Sequence, residues 1–104
     1  MLKLSKCPEN IKAFLEWKAG VGEKNPYLSD AEWDSVGQQA AEFIVQLSMM
    51  YDSRDFRLQF GPITVFGCMV PPDVLGTKAA EYRPGFRIKN RKFLVNGGGF
   101  QELP

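Results

Sequence analysis

One stretch constrains this chain more than any other: residues 29–51, SDAEWDSVGQQAAEFIVQLSMMY, the longest run that keeps to a single periodicity. Trp33, Val36, Ala40, Phe43, Ile44, Leu47 and Tyr51 recur at steps of three and four, which places them on one stripe of an α-helix. The start of that helix is also encoded. Ser29 stands three residues before Glu32, the spacing of a capping box, in which the serine hydroxyl accepts from the Glu32 amide and the Glu32 carboxylate accepts from the Ser29 amide. Leu28 and Trp33 flank the cap at the spacing of a hydrophobic staple. A helix of this length, apolar along one stripe only, needs a second layer to cover that stripe.

The rest of the chain supplies the candidates. Pro8 suits the first position of a shorter helix over residues 8–20, with Ile11, Phe14, Leu15 and Lys18 on one face and Gly20 as the stop. Trp17 falls on another flank and reads as a partly buried packing residue. A short connector, residues 20–27, makes the two helices an antiparallel hairpin. Beyond Tyr51 the period changes to two. Phe56, Leu58 and Phe60 alternate with Arg57 and Gln59, the mark of a half-buried strand over residues 56–60.

Residues 63–70, ITVFGCMV, are apolar on both faces and read as a central strand, in which Gly67 marks a bulge or a close backbone approach. Gly61-Pro62 is not a favoured hairpin pair. The segment from Asp73 to Gly85 lacks a clear period, with one or two helical turns expected between Thr77 and Tyr82. A hairpin follows, with strands over 85–89 and 92–96 and Asn90-Arg91 at its turn, so that Ile88 opposes Phe93 and Phe86 opposes Val95. Gly97 to Gly99 end it, ahead of a short tail around Phe100 and Leu103. The expected fold is therefore α+β: two N-terminal helices on a three- to four-stranded antiparallel sheet, a two-layer sandwich forming one domain over residues 1–104.

Composition narrows the chemistry. The chain has no histidine, which removes imidazole acid–base catalysis, histidine-activated nucleophiles and histidine metal ligation together. Its two cysteines, Cys7 and Cys68, are too few and too far apart for a four-cysteine zinc site or a CxxC redox motif, and Cys68 reads as a buried, reduced thiol. No apolar run approaches the length of a bilayer span and the first residues lack a signal-peptide core, so the expectation is a cytoplasmic protein without membrane contact. Net charge is +1, but it is unevenly spread: residues 1–50 carry five cations against seven acids, and residues 51–104 eight cations against five acids.

Most of that excess lies in one place. Arg83, Arg87, Lys89, Arg91 and Lys92 fall within ten residues free of acids, beside Tyr82, Phe86 and Phe93. Such a surface neutralises phosphates and stacks bases, or meets an acidic protein; it also serves merely to guard a sheet edge. Glu81, Tyr82, Arg83 and Arg87 form the one histidine-free set with the residue types for metal-free RNA cleavage, a signal of low specificity. Asp30, Glu32 and Asp34 complement the dipole of the long helix. Asp52, Ser53 and Asp55 lack the glycine and distal glutamate of a calcium loop and read as a turn. Met49, Met50 and Tyr51 point in successive directions around the helix, so at least one faces solvent or a partner subunit.

These features lead to an expected function of binding without catalysis or cofactor, through protein contacts at Met49, Met50 and the basic hairpin residues Arg83, Arg87, Lys89, Arg91 and Lys92. A regulator or inhibitor of the kind encoded by phages and mobile elements fits that size and composition, with a homodimer contact at the methionines. Nucleic-acid binding through residues 86–95 is the alternative, and small-ligand binding between helices and sheet a second.

Overall fold

The computed structural model describes residues 8–51 and 56–104. Helix α1 (Glu9–Lys18) and helix α2 (Asp30–Met50) precede strands β1 (Arg57–Phe60) and β2 (Ile63–Val70), a short helix α3 (Pro72–Leu75), and strands β3 (Glu81–Ile88), β4 (Arg91–Asn96) and β5 (Gly99–Glu102). The strands form a five-stranded antiparallel meander in chain order. α1 and α2 pack together and on one face of it, so the architecture is α+β in two layers.

The long helix begins where its cap places it. Ser29 Oγ accepts from the Glu32 amide at 3.1 Å, and the Ser29 amide donates to Glu32 Oε1 at 2.9 Å. Its stripe of Trp33, Val36, Ala40, Phe43, Ile44 and Leu47 is buried, while Tyr51 lies exposed at the C-cap with its ring stacked on Phe56. Across from the stripe, Phe56, Ile63, Val65, Phe86, Ile88, Phe93 and Val95 complete the core. Each fully buried Phe or Ile contributes roughly 2 kcal/mol of transfer free energy, so these facing rows outweigh any single cap or ion pair. Phe14 links the layers, its ring centroid 5.4 Å from those of both Trp17 and Trp33 and 6.3 Å from that of Phe100 on β5. Trp17 is thus a packing residue at the rim of the core.

Several local expectations shift. The turn between β3 and β4 is Lys89-Asn90, not Asn90-Arg91, so Ile88 pairs with Arg91 and Phe86 with Phe93. The displacement is two residues, and a slip of two leaves every side chain on its original face. Lys89 takes a left-handed φ of +55° at the first position of this two-residue loop. Gly61-Pro62 does close a two-residue hairpin: Gly61 has φ +58° and proline's ring holds the next φ negative, the sign pattern of a type II′ turn. The helical turn expected within residues 77–82 lies earlier, at α3, where Pro72 occupies the first turn and Gly76 takes φ +68° at the C-cap. β3 then starts at Glu81 and continues to Ile88, four residues earlier than its apolar alternation suggests.

The glycines after β4 also do more than end it. Gly97 and Gly98, at φ +59° and +81°, form the hairpin that returns the chain as β5. Gly67 is a close approach, since a Cβ there would lie against the Tyr82 hydroxyl and 2.7 Å from Phe56 Cε1.

Candidate anion-binding face

Strand alternation divides the sheet's side chains between two environments. The core residues of β2, β3 and β4 face the helices, which leaves Thr64, Phe66 and Cys68 of β2, Arg83 and Arg87 of β3, and Lys92 and Leu94 of β4 on the outer face. Arg57 and Gln59 of β1 join them through the pairs Arg57 with Phe66 and Gln59 with Thr64.

Part of this outer face is shielded from solvent: Leu94 and Thr64 are buried although neither faces the helices. Gly85 sits on it, between Phe66 and Leu94 in register, and a Cβ at that position would run into the Phe93 carbonyl and come within 3.2 Å of Leu94 Cα. On this face lies a cavity of about 130 Å³, lined by Arg57, Thr64, Phe66, Gly67, Cys68, Arg87 and Lys92. Thr64 Oγ1 donates to Gln59 Oε1 at 2.8 Å and Gln59 Nε2 to the Gly61 carbonyl at 2.6 Å, which fixes the wall beneath the cations.

The basic residues of the hairpin divide into three groups. Arg87 and Lys92 are direct cross-strand partners at the cavity, like charges face to face, an arrangement that costs a sheet stability. No acid of the described residues forms an ion pair with either, or with Arg57. Arg83 bonds Glu81 Oε1 at 2.8 Å on the same face of β3. Arg91 is engaged on three sides: its guanidinium donates to both oxygens of Glu102 at 2.8 and 2.7 Å and to the Ala19 carbonyl at 2.9 Å, and it lies 5.3 Å from the Phe93 ring centroid. The hydrogen bond to Glu102 raises the Arg91 pKa, and the same bond, aided by charge attraction, lowers that of Glu102. Lys89 sits at the exposed turn.

Arg57, Thr64, Phe66 and Cys68 were not among the residues expected to share a site. Arg57's outward position is readable from its alternation with Phe56 and Leu58; its place beside Arg87 depends on strand order. Cys68 is half-buried in the cavity wall, whereas Cys7 lies outside the described residues, as do Asp52, Ser53 and Asp55. Glu81, Tyr82, Arg83 and Arg87 do not converge: Tyr82 projects to the helix side over Gly67 while the other three lie on the outer face. Asp30 is ion-paired with Lys24, and Glu32 belongs to the cap.

Met49 and Met50 belong to the helix layer, across the sheet from the cavity. Met49 is 76% exposed and Met50 42%. A second, more open cavity of about 300 Å³ lies between α2 and the β4–β5 turn, bounded by Ala41, Glu42, Val45, Gln46, Val95 and Gly98. Among the described residues no cluster of acids and cysteines is arranged to hold a metal ion, and no helix is long and apolar enough to cross a membrane. Comparison with known proteins returns no match: no family model fits the sequence, and neither a curated protein nor a solved structure is significantly similar to the chain.

Proposed function

We propose that this chain works as a small binding protein without catalysis of its own, and that its partner presents negative charge to the outer face of the sheet. One observation carries the reading: Arg57, Arg87 and Lys92, from three different strands, border one cavity without an acid of the described residues paired to any of them. A sheet face that served only solubility would gain by interleaving acids with those cations. An anionic partner supplies the missing charge. The net charge of +1 keeps the attraction local and not a property of the whole molecule.

Retention on immobilised heparin at low ionic strength tests the reading. The wild-type protein is expected to bind and to elute with salt, and the triple variant Arg57→Glu, Arg87→Glu, Lys92→Glu to pass through while keeping a cooperative thermal transition. Wild-type protein that passes unretained at low salt would overturn it.

A second reading, contact with another protein through the helix layer, is supported by the exposure of Met49, Met50 and Tyr51 at the end of α2. Light scattering coupled to size exclusion at high concentration tests its simplest form, a homodimer. A dimer mass that reverts to monomer on Met49→Ser supports it, and a monomer mass counts against it.

A further inference from the structure

We infer that the anion recognised by the outer face is a single strand of nucleic acid, with one backbone phosphate in the cavity among Arg57, Arg87 and Lys92 and a base against the ring of Phe66. The inference rests on the reading of that face as an anion-binding surface and names its ligand. Three features select this ligand from other polyanions. The cavity, about 130 Å³ and bordered by three cations, suits one compact oxyanion and not a whole nucleotide, so the rest of the ligand must run outside it along the outer face.

Phe66 supplies the second feature. It is half-buried in the cavity wall, with Arg57 as its β1 partner and Gly85 as its β3 partner. In register, Phe66 therefore has an arginine on one side and a residue with no side chain on the other. A carboxylate-rich protein surface would use the cations and leave the ring without a role. A nucleotide uses both, because every base carries a π-face that stacks on an aromatic side chain next to its neutralised phosphate.

The third feature is shape. A base reaches Phe66 only if it is free of its own stack, and the bases of a duplex are not. Single strands are thus favoured over duplexes, with little dependence on sequence, since the cavity offers charge and a stacking face and no set of donors and acceptors matched to a base edge.

The test is fluorescence anisotropy of the full chain with labelled twelve-nucleotide oligothymidylate and oligouridylate, with a duplex of equal length and labelled poly-glutamate in parallel. Single strands are expected to bind, with log affinity falling against log salt at a slope of about −0.7, the value for the one phosphate neutralised in the cavity. Arg57→Ala and Lys92→Ala should each weaken binding and flatten that slope. Phe66→Leu, which keeps the apolar volume, should weaken binding about ten-fold with the slope unchanged.

Duplex bound as tightly as single strand, or Phe66→Leu without effect, would overturn the inference. Poly-glutamate bound in place of either strand would overturn it as well while leaving the anion-binding reading intact. Binding of neither polyanion would remove both.

Discussion

The para end of the Phe14 ring lies so close to Gly37 that a Cβ added to the glycine would come within 2.5 Å of Phe14 Cζ. Gly37 is buried in the middle of α2, where glycine ordinarily costs a helix about 1 kcal/mol relative to alanine. Here the missing methyl is what lets α1 approach. Gly37→Ala is therefore expected to lose about 1–3 kcal/mol by overpacking instead of gaining from propensity. Urea unfolding checks the sign, and combining it with Phe14→Leu should recover part of the loss, because two residues in contact do not act additively.

The capping box makes a second prediction. Ser29→Ala should cost about 1 kcal/mol, a fall in melting temperature of roughly 4–8 °C for a domain of this size. The backbone and side-chain hydrogen bonds from Ser29 hold the Glu32 carboxyl below its ordinary value. Glu32 therefore stabilises the fold above the ordinary carboxylate range and ceases to as pH falls through its lowered value. A thermal melt of the variant showing no change would place the helix start elsewhere.

Acid should also uncouple the strap at the end of the sheet. The Arg91 guanidinium depresses the pKa of Glu102, first by hydrogen bonding and then by charge. A depressed carboxylate contributes stability that is complete above its unfolded pKa, about 4.3, and that is lost as pH falls through the folded value. Unfolding curves of wild type and Glu102→Gln are thus expected to differ at pH 7 and to converge in strong acid. A difference that persists unchanged at low pH would show that packing, not ionisation, carries the effect.

Arg87 facing Lys92 across β3 and β4 predicts a trade between stability and binding. Lys92→Glu replaces a like-charge pair with an opposite one and should raise stability by about 0.2–1 kcal/mol while weakening retention on heparin. Chemical denaturation and heparin elution measured on the same sample separate the two. A variant that loses both would point to a structural role for Lys92.

Much of the fold was legible because it is local. The α2 cap, its stripe and the two-residue alternation of β1 and β4 are properties of contiguous residues, and periodicity alone assigns their faces. The β3–β4 register was misplaced by two residues because an apolar pattern specifies a face and not a pairing; Lys89 adopting positive φ decided the pairing. The site was harder to read. Five cations looked equivalent in sequence, and their separation depended on partners remote along the chain, Glu102 eleven residues from Arg91 and Ala19 seventy-two residues from it.

By itself, then, the sequence determined a capped amphipathic helix, a layer of strands to cover it, and a basic segment in a chain without histidine. Only the tertiary structure decided which cations line one cavity. It brought Arg57 from β1 beside Arg87 and Lys92, set Phe66 against the side-chain-free Gly85, and withdrew Arg91 into the frame. The physical reason is that side-chain direction follows from the local backbone period, whereas proximity across a sheet follows from turn geometry and strand order, which no stretch of residues encodes alone.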